Sequence, residues 1–245
     1  MDKDNKKYLV TICARGGSKG IKGKNCKVIN GNPLLYYSIS IAKKFLERFN
    51  GNIGLSTDSQ EIKSVAENYG IFTDYIRPEI HATDNAGKIG TIKHLLEFEE
   101  EERSIKYDYI LDLDVSSPLR TLEDLLNANS VIGSDKDALN LFSVNRCHRN
   151  PYFNQVEKGD NEYYHLVKQT DSPILSRQTA PKVYDLNASF YIYRRRFFDL
   201  NFENAYTDKS LIYLMEHICF DLDEPLDFEI MDYLMKSGKL NFEYQ

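Results

Sequence analysis

No stretch of this sequence approaches the about 18 consecutive apolar residues that a membrane-spanning helix needs. A secretory signal is missing as well. The amino-terminal MDKDNKKYLVTICA puts charge first and then only a short apolar run, which Arg15 ends. The cytoplasm is the expected location. Cysteine is scarce: Cys13, Cys26, Cys147 and Cys219 lie far apart and form no CxxC pair. That spacing argues against a disulfide framework or a cysteine metal cluster and fits a reducing compartment. Cys13, inside an apolar run, reads as a small core residue. The histidines (81, 94, 148, 165 and 217) show no HxxxH spacing, and none is assigned to catalysis. Positive charge is in deficit overall, and a net charge of −6 argues against nucleic acid or a membrane surface as the main partner. Internal repeats and low-complexity tracts are also absent.

What is present is an ordinary globular composition, 42% hydrophobic and 28% charged, in a chain long enough to bury a good core. The first 145 residues alternate between strand-like and helical patterns. YLVTICA (8–14), NIGLS (52–56), YDYILDLDV (107–115) and ALNLFSV (138–144) read as strands. PLLYYSISIAKKFLERF (33–49) opens with Pro33 and repeats apolar residues at Leu35, Ile39, Ala42, Phe45, Leu46 and Phe49, which is helical spacing. A second helix follows Asp58, whose spacing to Glu61 predicts a capping box, with Gly70 as its stop. Further helices are expected near 88–102 and from about Leu122. Alternation of this kind predicts a doubly wound α/β fold with a largely parallel, Rossmann-like sheet. From about residue 146 the pattern changes. RNPYFNQVEKGDNEYYHLVK reads as two extended segments about a KGDNE turn, and 148–186 as an extended excursion from a single domain spanning 1–245. LNASFYIY returns as a strand, HICFDLD is short and β-like, and 225–236 forms a closing helix.

The most telling absence is local. Between Ala14 and Asn32 there is no acid, while Arg15, Lys19, Lys22, Lys24 and Lys27 are all basic. In CARGGSKGIKGKN (13–25) this charge sits on a glycine-rich turn between a predicted strand and helix. Such a turn lets backbone N–H groups converge on an anion, and Arg and Lys add charge to it. A solvated basic loop is the plain alternative, but five cations without an acid repel one another unless an anion sits among them. The loop fails the Walker A spacing, because Ser18 stands where Gly is required and Asn25 where Ser or Thr is required. No trio of its glycines meets the dinucleotide fingerprint either.

At this point ARGGSKGIKGKN resembles the signature of the CMP-acylneuraminate synthetases, the sialic-acid-type cytidylyltransferases. LSTDSQEI, IRPEIHATD, DLDVSSPLRT, RNPYFN, RQTAPKVYDLNASFYIY and FDLDEPLDF have counterparts in family order along the chain. The variants DLDVSSPLRT, RNPYFN and APKVYDLNAS are most similar to the branch that activates legionaminic acid. The resemblance implies transfer of CMP from CTP to the anomeric hydroxyl of a nine-carbon α-keto sugar acid, with Mg²⁺ and release of pyrophosphate. N-acetylneuraminate or another sugar acid is the alternative substrate, and a catalytically silent nucleotide-binding module the alternative from another class. It also implies a homodimer paired through 148–186.

Residue by residue, the resemblance assigns Arg15, Ser18, Lys19, Lys24 and Asn25 to the nucleotide, with Arg15 and Lys24 catalytic, and Arg77 and Asp84 near base or ribose. Arg77 could equally be a loop salt-bridge partner. Asp221 and Asp223, two apart on a strand-like piece, share a face, and paired carboxylates suit Mg²⁺. Spacing alone also allows solvated acids before a helix, where negative charge is welcome. Asp223 is assigned a catalytic part through the metal. Arg177, Asn187 and Tyr191 meet the family's ten-then-four spacing and are assigned to the sugar acid, together with Asp114 and Ser116. Ser116 could equally form the turn before Pro118, and Tyr191 could be an ordinary strand aromatic. Asp114 departs from the pattern, since the family usually carries Gln there.

Overall fold

The computed structural model describes residues 5–83 and 86–244. In chain order the elements are β1 (Lys7–Cys13), β2 (Val28–Ile29), β3 (Asn32–Pro33), α1 (Leu34–Arg48), β4 (Asn50–Ser56), α2 (Gln60–Asn68), α3 (Lys88–Arg103), β5 (Tyr109–Leu113), α4 (Leu122–Ser134), β6 (Asn140–Arg146), β7 (Val156–Lys158), β8 (Tyr164–Leu166), β9 (Tyr184–Arg194), α5 (Arg195–Asp199), β10 (Ser210–Leu214) and α6 (Pro225–Lys236). Six strands form one sheet in the order β10-β6-β9-β5-β1-β4. β4, β1 and β5 run parallel, as do β6 and β10, whereas β9 is antiparallel to both β5 and β6. The expectation of a largely parallel sheet therefore holds with one reversed strand. The reason is local: no helix lies between β6 and β9, and without a crossover a strand returns beside its predecessor antiparallel.

The period-two alternation of the central strands divides the core. Tyr8, Val10 and Ile12 of β1, with Tyr109, Leu111 and Leu113 of β5, face a cluster supplied by α1, α2, α4 and α6. Leu9 and Ile110 point the other way, into a cluster with Ile89, Ile92 and Leu96 of α3 and Phe197 and Phe198 of α5. Helices thus cover both faces, as parallel strands buried on both sides require.

Local chemistry departs from expectation in places. α2 is capped by Ser59, whose side chain accepts from the Ile62 N–H, and not by Asp58. Gly70 does terminate it, at φ 71°, with Gly70 N–H donating to the Glu67 carbonyl and Ile71 N–H to that of Ala66. The segment around Asp221 and Asp223 is extended but belongs to no strand, while β10 forms the sheet edge just before it. The β2–β3 hairpin turns at Asn30-Gly31, both with positive φ, a pairing that favours such turns. In the excursion, β7 and β8 do form an antiparallel hairpin about Gly159–Tyr163.

Candidate active site

The chain from β1 runs through α1 to β4 on one side, and β5 then adds on the other side of β1. The switch point therefore lies between β1 and β5, where loops leave the carboxyl ends in opposite directions and a crevice opens. The glycine loop fills one wall of it. Gly16 N–H donates to Asp58 Oδ1 at 2.8 Å, so Asp58 is a loop anchor. Asn25 Nδ2 donates to the Arg15 carbonyl at 2.9 Å, folding the loop onto itself. Lys24 Nζ donates to the Leu222 carbonyl at 2.6 Å, joining the loop to the segment that carries the two acids. Gly20 lies flat against that same segment: a Cβ there would sit 1.9 Å from the Asp223 carbonyl oxygen. Gly23, at φ 62°, takes the left-handed backbone that opens the short turn Lys24–Cys26.

Arg15, Ser18, Lys19, Lys24, Asn25, Asp114, Ser116 and Asp223 line one cavity of about 300 Å³. These residues come from three separated stretches of sequence that tertiary structure brings together. Cys13 also lines the cavity. Burial, aided by the charge of Asp112, pushes its thiol up to about 12, so it stays protonated and inert.

Asp221 lines the cavity next to the crevice that Asp223 lines, so the two acids do not open into one space; between them Leu222 is fully buried, and its N–H donates to the Ser116 carbonyl at 3.0 Å. Asp221 Oδ1 is buried without a hydrogen-bond partner. Burial first, then the neighbouring charges of Asp114 and Asp223, pushes its carboxyl up to about 6. An unpaired buried carboxylate oxygen beside a second carboxylate is an unfavourable arrangement unless a cation balances it. Among the described residues no group of three or more metal-ligating side chains is gathered. A hard cation that shares its ligands with phosphate and water needs only one or two carboxylates, so the pair fits Mg²⁺.

β5 ends in a buried ionic cluster. Asp112 is fully buried in mid-sheet, directly opposite Thr11 and Tyr191 on the flanking strands, and accepts from Thr11 Oγ1 at 2.8 Å. Lys88 Nζ lies 2.8 Å from Asp112 Oδ2 and 2.9 Å from Asp114 Oδ2. Asp114 Oδ1 accepts from Ser116 N–H and Ser116 Oγ at 2.9 and 2.7 Å. Burial opposes ionisation of Asp114, but Lys88 and Ser116 outweigh it and hold the carboxyl well below the usual carboxylate range. Beneath the loop Arg120, 1% exposed, donates to the carbonyls of Asp114 and Ser117 and to Ser189 Oγ.

The sugar-acid candidates divide. Asn187 lines a neighbouring cavity of about 670 Å³ together with His148, Cys219 and Asp221. Its amide is engaged by Ser143 Oγ at 2.6 Å and Asn145 Oδ1 at 2.8 Å. The next residue, Ala188, has φ 53°, and the β6–β9 register slips between Phe142 and Val144, a bulge that re-aims the strand beside the crevice. Tyr191 is 8% exposed and sits on the α3 face with Lys88 Nζ 4.8 Å over its ring. Arg177 is exposed on the excursion, donates to the His148 carbonyl at 3.3 Å, and lines neither cavity. Arg77 is buried, and its guanidinium is held by Ser56 Oγ at 2.8 Å and the Ser56 carbonyl at 2.7 Å, which locks the end of β4. Asp84 lies outside the described residues. Lys88 and Arg120 have no place in the sequence reading, which gives Asp58 only as a helix cap. Lys88 alone left a signal, a cation in the first turn of a helix, where the macrodipole disfavours it.

The family model described as cytidylyltransferase matches residues 9–237. Post-translational flagellin modification protein B of Campylobacter coli is 38% identical over 95% of this chain and 96% of its own length. The CMP-N,N'-diacetyllegionaminic acid synthase of Campylobacter jejuni is also 38% identical, over 95% of this chain and 97% of its own. Among solved structures, a CMP:2-keto-3-deoxy-manno-octonic acid synthetase complexed with CTP superposes with a TM-score of 0.68 at 15% identity, covering 95% of this chain and 99% of its own. That superposition speaks for the shared fold.

Proposed function

The chain belongs to the cytidylyltransferase family, and we propose that it transfers CMP from CTP to the anomeric hydroxyl of a nine-carbon α-keto sugar acid of the legionaminic type, releasing pyrophosphate. The observation that carries this reading is the pinned, acid-free glycine loop, packed against the segment that carries Asp223 and lining one crevice with Asp223, Asp114 and Ser116. Attack on the α-phosphorus moves negative charge onto the departing pyrophosphate, and Arg15, Lys19 and Lys24 stand where that charge must be neutralised. Because the loop is held at both ends, the cations are oriented before the nucleotide arrives.

Asp221 and Asp223 would hold Mg²⁺, which when bound supplies charge neutralisation to the triphosphate. The buried, unpaired Asp221 oxygen favours an active enzyme over a silent nucleotide binder, which would not need the metal pair. Arg77 and Asp84 are assigned to the base and ribose side. Arg77 acts there through the end of β4. Asp114 and Ser116 take the sugar acid from the crevice, with Asp114 favouring legionaminate over N-acetylneuraminate by accepting hydrogen bonds, while Asn187 and Tyr191, which line neighbouring cavities, are assigned to the sugar acid by the family spacing alone.

Arg177 reaches its site in this reading from one subunit of a homodimer to the other. The single domain carries 148–186 as its dimerisation excursion, and Tyr163, Tyr164 and Leu175 there are 74%, 68% and 87% exposed. A fully active monomer at micromolar concentration by light scattering refutes the dimer. The function itself is tested by pyrophosphate release with CTP against a panel of nine-carbon keto acids. Turnover is expected with N,N'-diacetyllegionaminate above N-acetylneuraminate. No turnover with any acid refutes the reading.

A further inference from the structure

We propose that Lys88 is a positioning residue that sets sugar-acid specificity by fixing the carboxylate of Asp114; this rests on the function proposed above. Asp112 lies on β5 in the middle of the sheet, Asp114 follows just past the strand's end, and both carboxylates face Lys88. Two like charges that meet at one cation, Asp112 fully buried and Asp114 at the crevice wall, repel, and one would be driven to protonate or turn away. Lys88 prevents both by bridging the Oδ2 atoms at 2.8 and 2.9 Å. Ser116 takes the other oxygen of Asp114 through two hydrogen bonds. The carboxylate plane is thereby fixed from both ends, and its remaining lone pairs are directed by Lys88 and Ser116 together.

Three features mark Lys88 as more than a compensating charge. It opens α3, where a cation is disfavoured, so the helix gains nothing electrostatically from it. Its side chain is 34% exposed, while Asp112 beneath it has no exposure. It also lines a small cavity of about 170 Å³ with Tyr191 and Tyr206, distinct from the crevice that Asp114 lines. A shift of Lys88 therefore changes both the aim of Asp114 and the shape of that small cavity.

The test uses two variants of the full chain. Lys88→Arg keeps the charge but replaces a point cation by a longer planar fork, which moves the Asp114 carboxylate. Lys88→Met/Asp112→Asn removes one charge of each sign, so the buried Asp112 is not left ionised without its partner, while Asp114 at the crevice wall keeps only its two Ser116 hydrogen bonds. Pyrophosphate release is measured with both substrates varied, alongside thermal melting. Lys88→Arg is expected to melt like the parent and raise the sugar-acid KM several-fold. The double variant is expected to raise it about ten- to hundredfold, the worth of one charge-assisted hydrogen bond, with the CTP KM and kcat little changed. A parent-like sugar-acid KM in either folded variant, or an equal loss in both KM values, overturns the proposal and leaves Lys88 as charge balance. If the parent turns over none of the acids, it is the function that fails, not the part given to Lys88 alone.

Discussion

Replacing Gly20 by Ala adds one methyl group and no charge, yet it is expected to reduce turnover by about 10²-fold or more. The new Cβ would lie 1.9 Å from the Asp223 carbonyl oxygen and 3.1 Å from its carbonyl carbon, both backbone atoms that cannot rotate aside. Contacts below 3.0 Å do not persist, so the glycine loop or the acid segment must retreat by more than about 1 Å. Lys24, tied to the Leu222 carbonyl, moves with whichever gives way. A displacement of this size in a positioned site costs roughly 10²-fold in rate. Stability should change little, because Gly20 is exposed and outside the sheet. Gly133→Ala serves as control: it lies in α4 with open space around it and should be neutral or gain about 0.5–1 kcal/mol from helix propensity. The assay is pyrophosphate release with CTP and sugar acid both saturating, with melting temperature measured in parallel. A Gly20→Ala protein with parental turnover would refute the reasoning that loop and acids form one rigid unit.

Lys24→Ala should cut turnover by about 10²-fold while the protein stays folded, and parental activity at saturating CTP would remove it from the phosphate site. A chelator should abolish activity and Mg²⁺ restore it, and Asp221→Asn should raise the metal requirement; metal-independent turnover in that variant would take Asp221 out of the mechanism. Asp114→Gln should shift relative kcat/KM toward N-acetylneuraminate and away from legionaminate by roughly ten- to hundredfold, since an unpaired buried polar group costs about 1–3 kcal/mol. An equal loss on both sugars would refute its part in selection. His217 sits 2.9 Å from Asp124 and stacks on Phe242. Burial alone would lower its pKa, but the hydrogen bond and charge of Asp124 raise it above the ordinary 6.5. A raised histidine contributes stability that is fully present below the unfolded value and lost as pH rises through the folded one. The melting deficit of His217→Gln should accordingly be larger at about pH 6 than at about pH 8, and a deficit independent of pH would contradict the ion pair.

The glycine loop was legible because its requirements are local. A turn that brings backbone and cations to an anion needs Gly and Lys close together in sequence, and the absence of acids over Ala14–Asn32 marks it. The alternation of strands and helices was legible for the same reason, since a period of two or of 3.6 is written into consecutive residues. Asp58 was misread as a cap because its partner, Gly16, lies in another loop, while Ser59 one residue on meets the capping geometry. The edge strand β10 escaped because SLIYL is short and continuously apolar, without alternation to mark it.

The sequence by itself determined the α/β class and the carriers of positive charge, because each is a pattern of near neighbours. Tertiary structure alone decided which strand is reversed, that Gly20 must admit the Asp223 backbone, and that Lys88 spans Asp112 and Asp114. Those outcomes depend on atoms that meet in space from distant stretches of the chain. Their cost is steric overlap or buried charge, and neither is felt until the chain has folded.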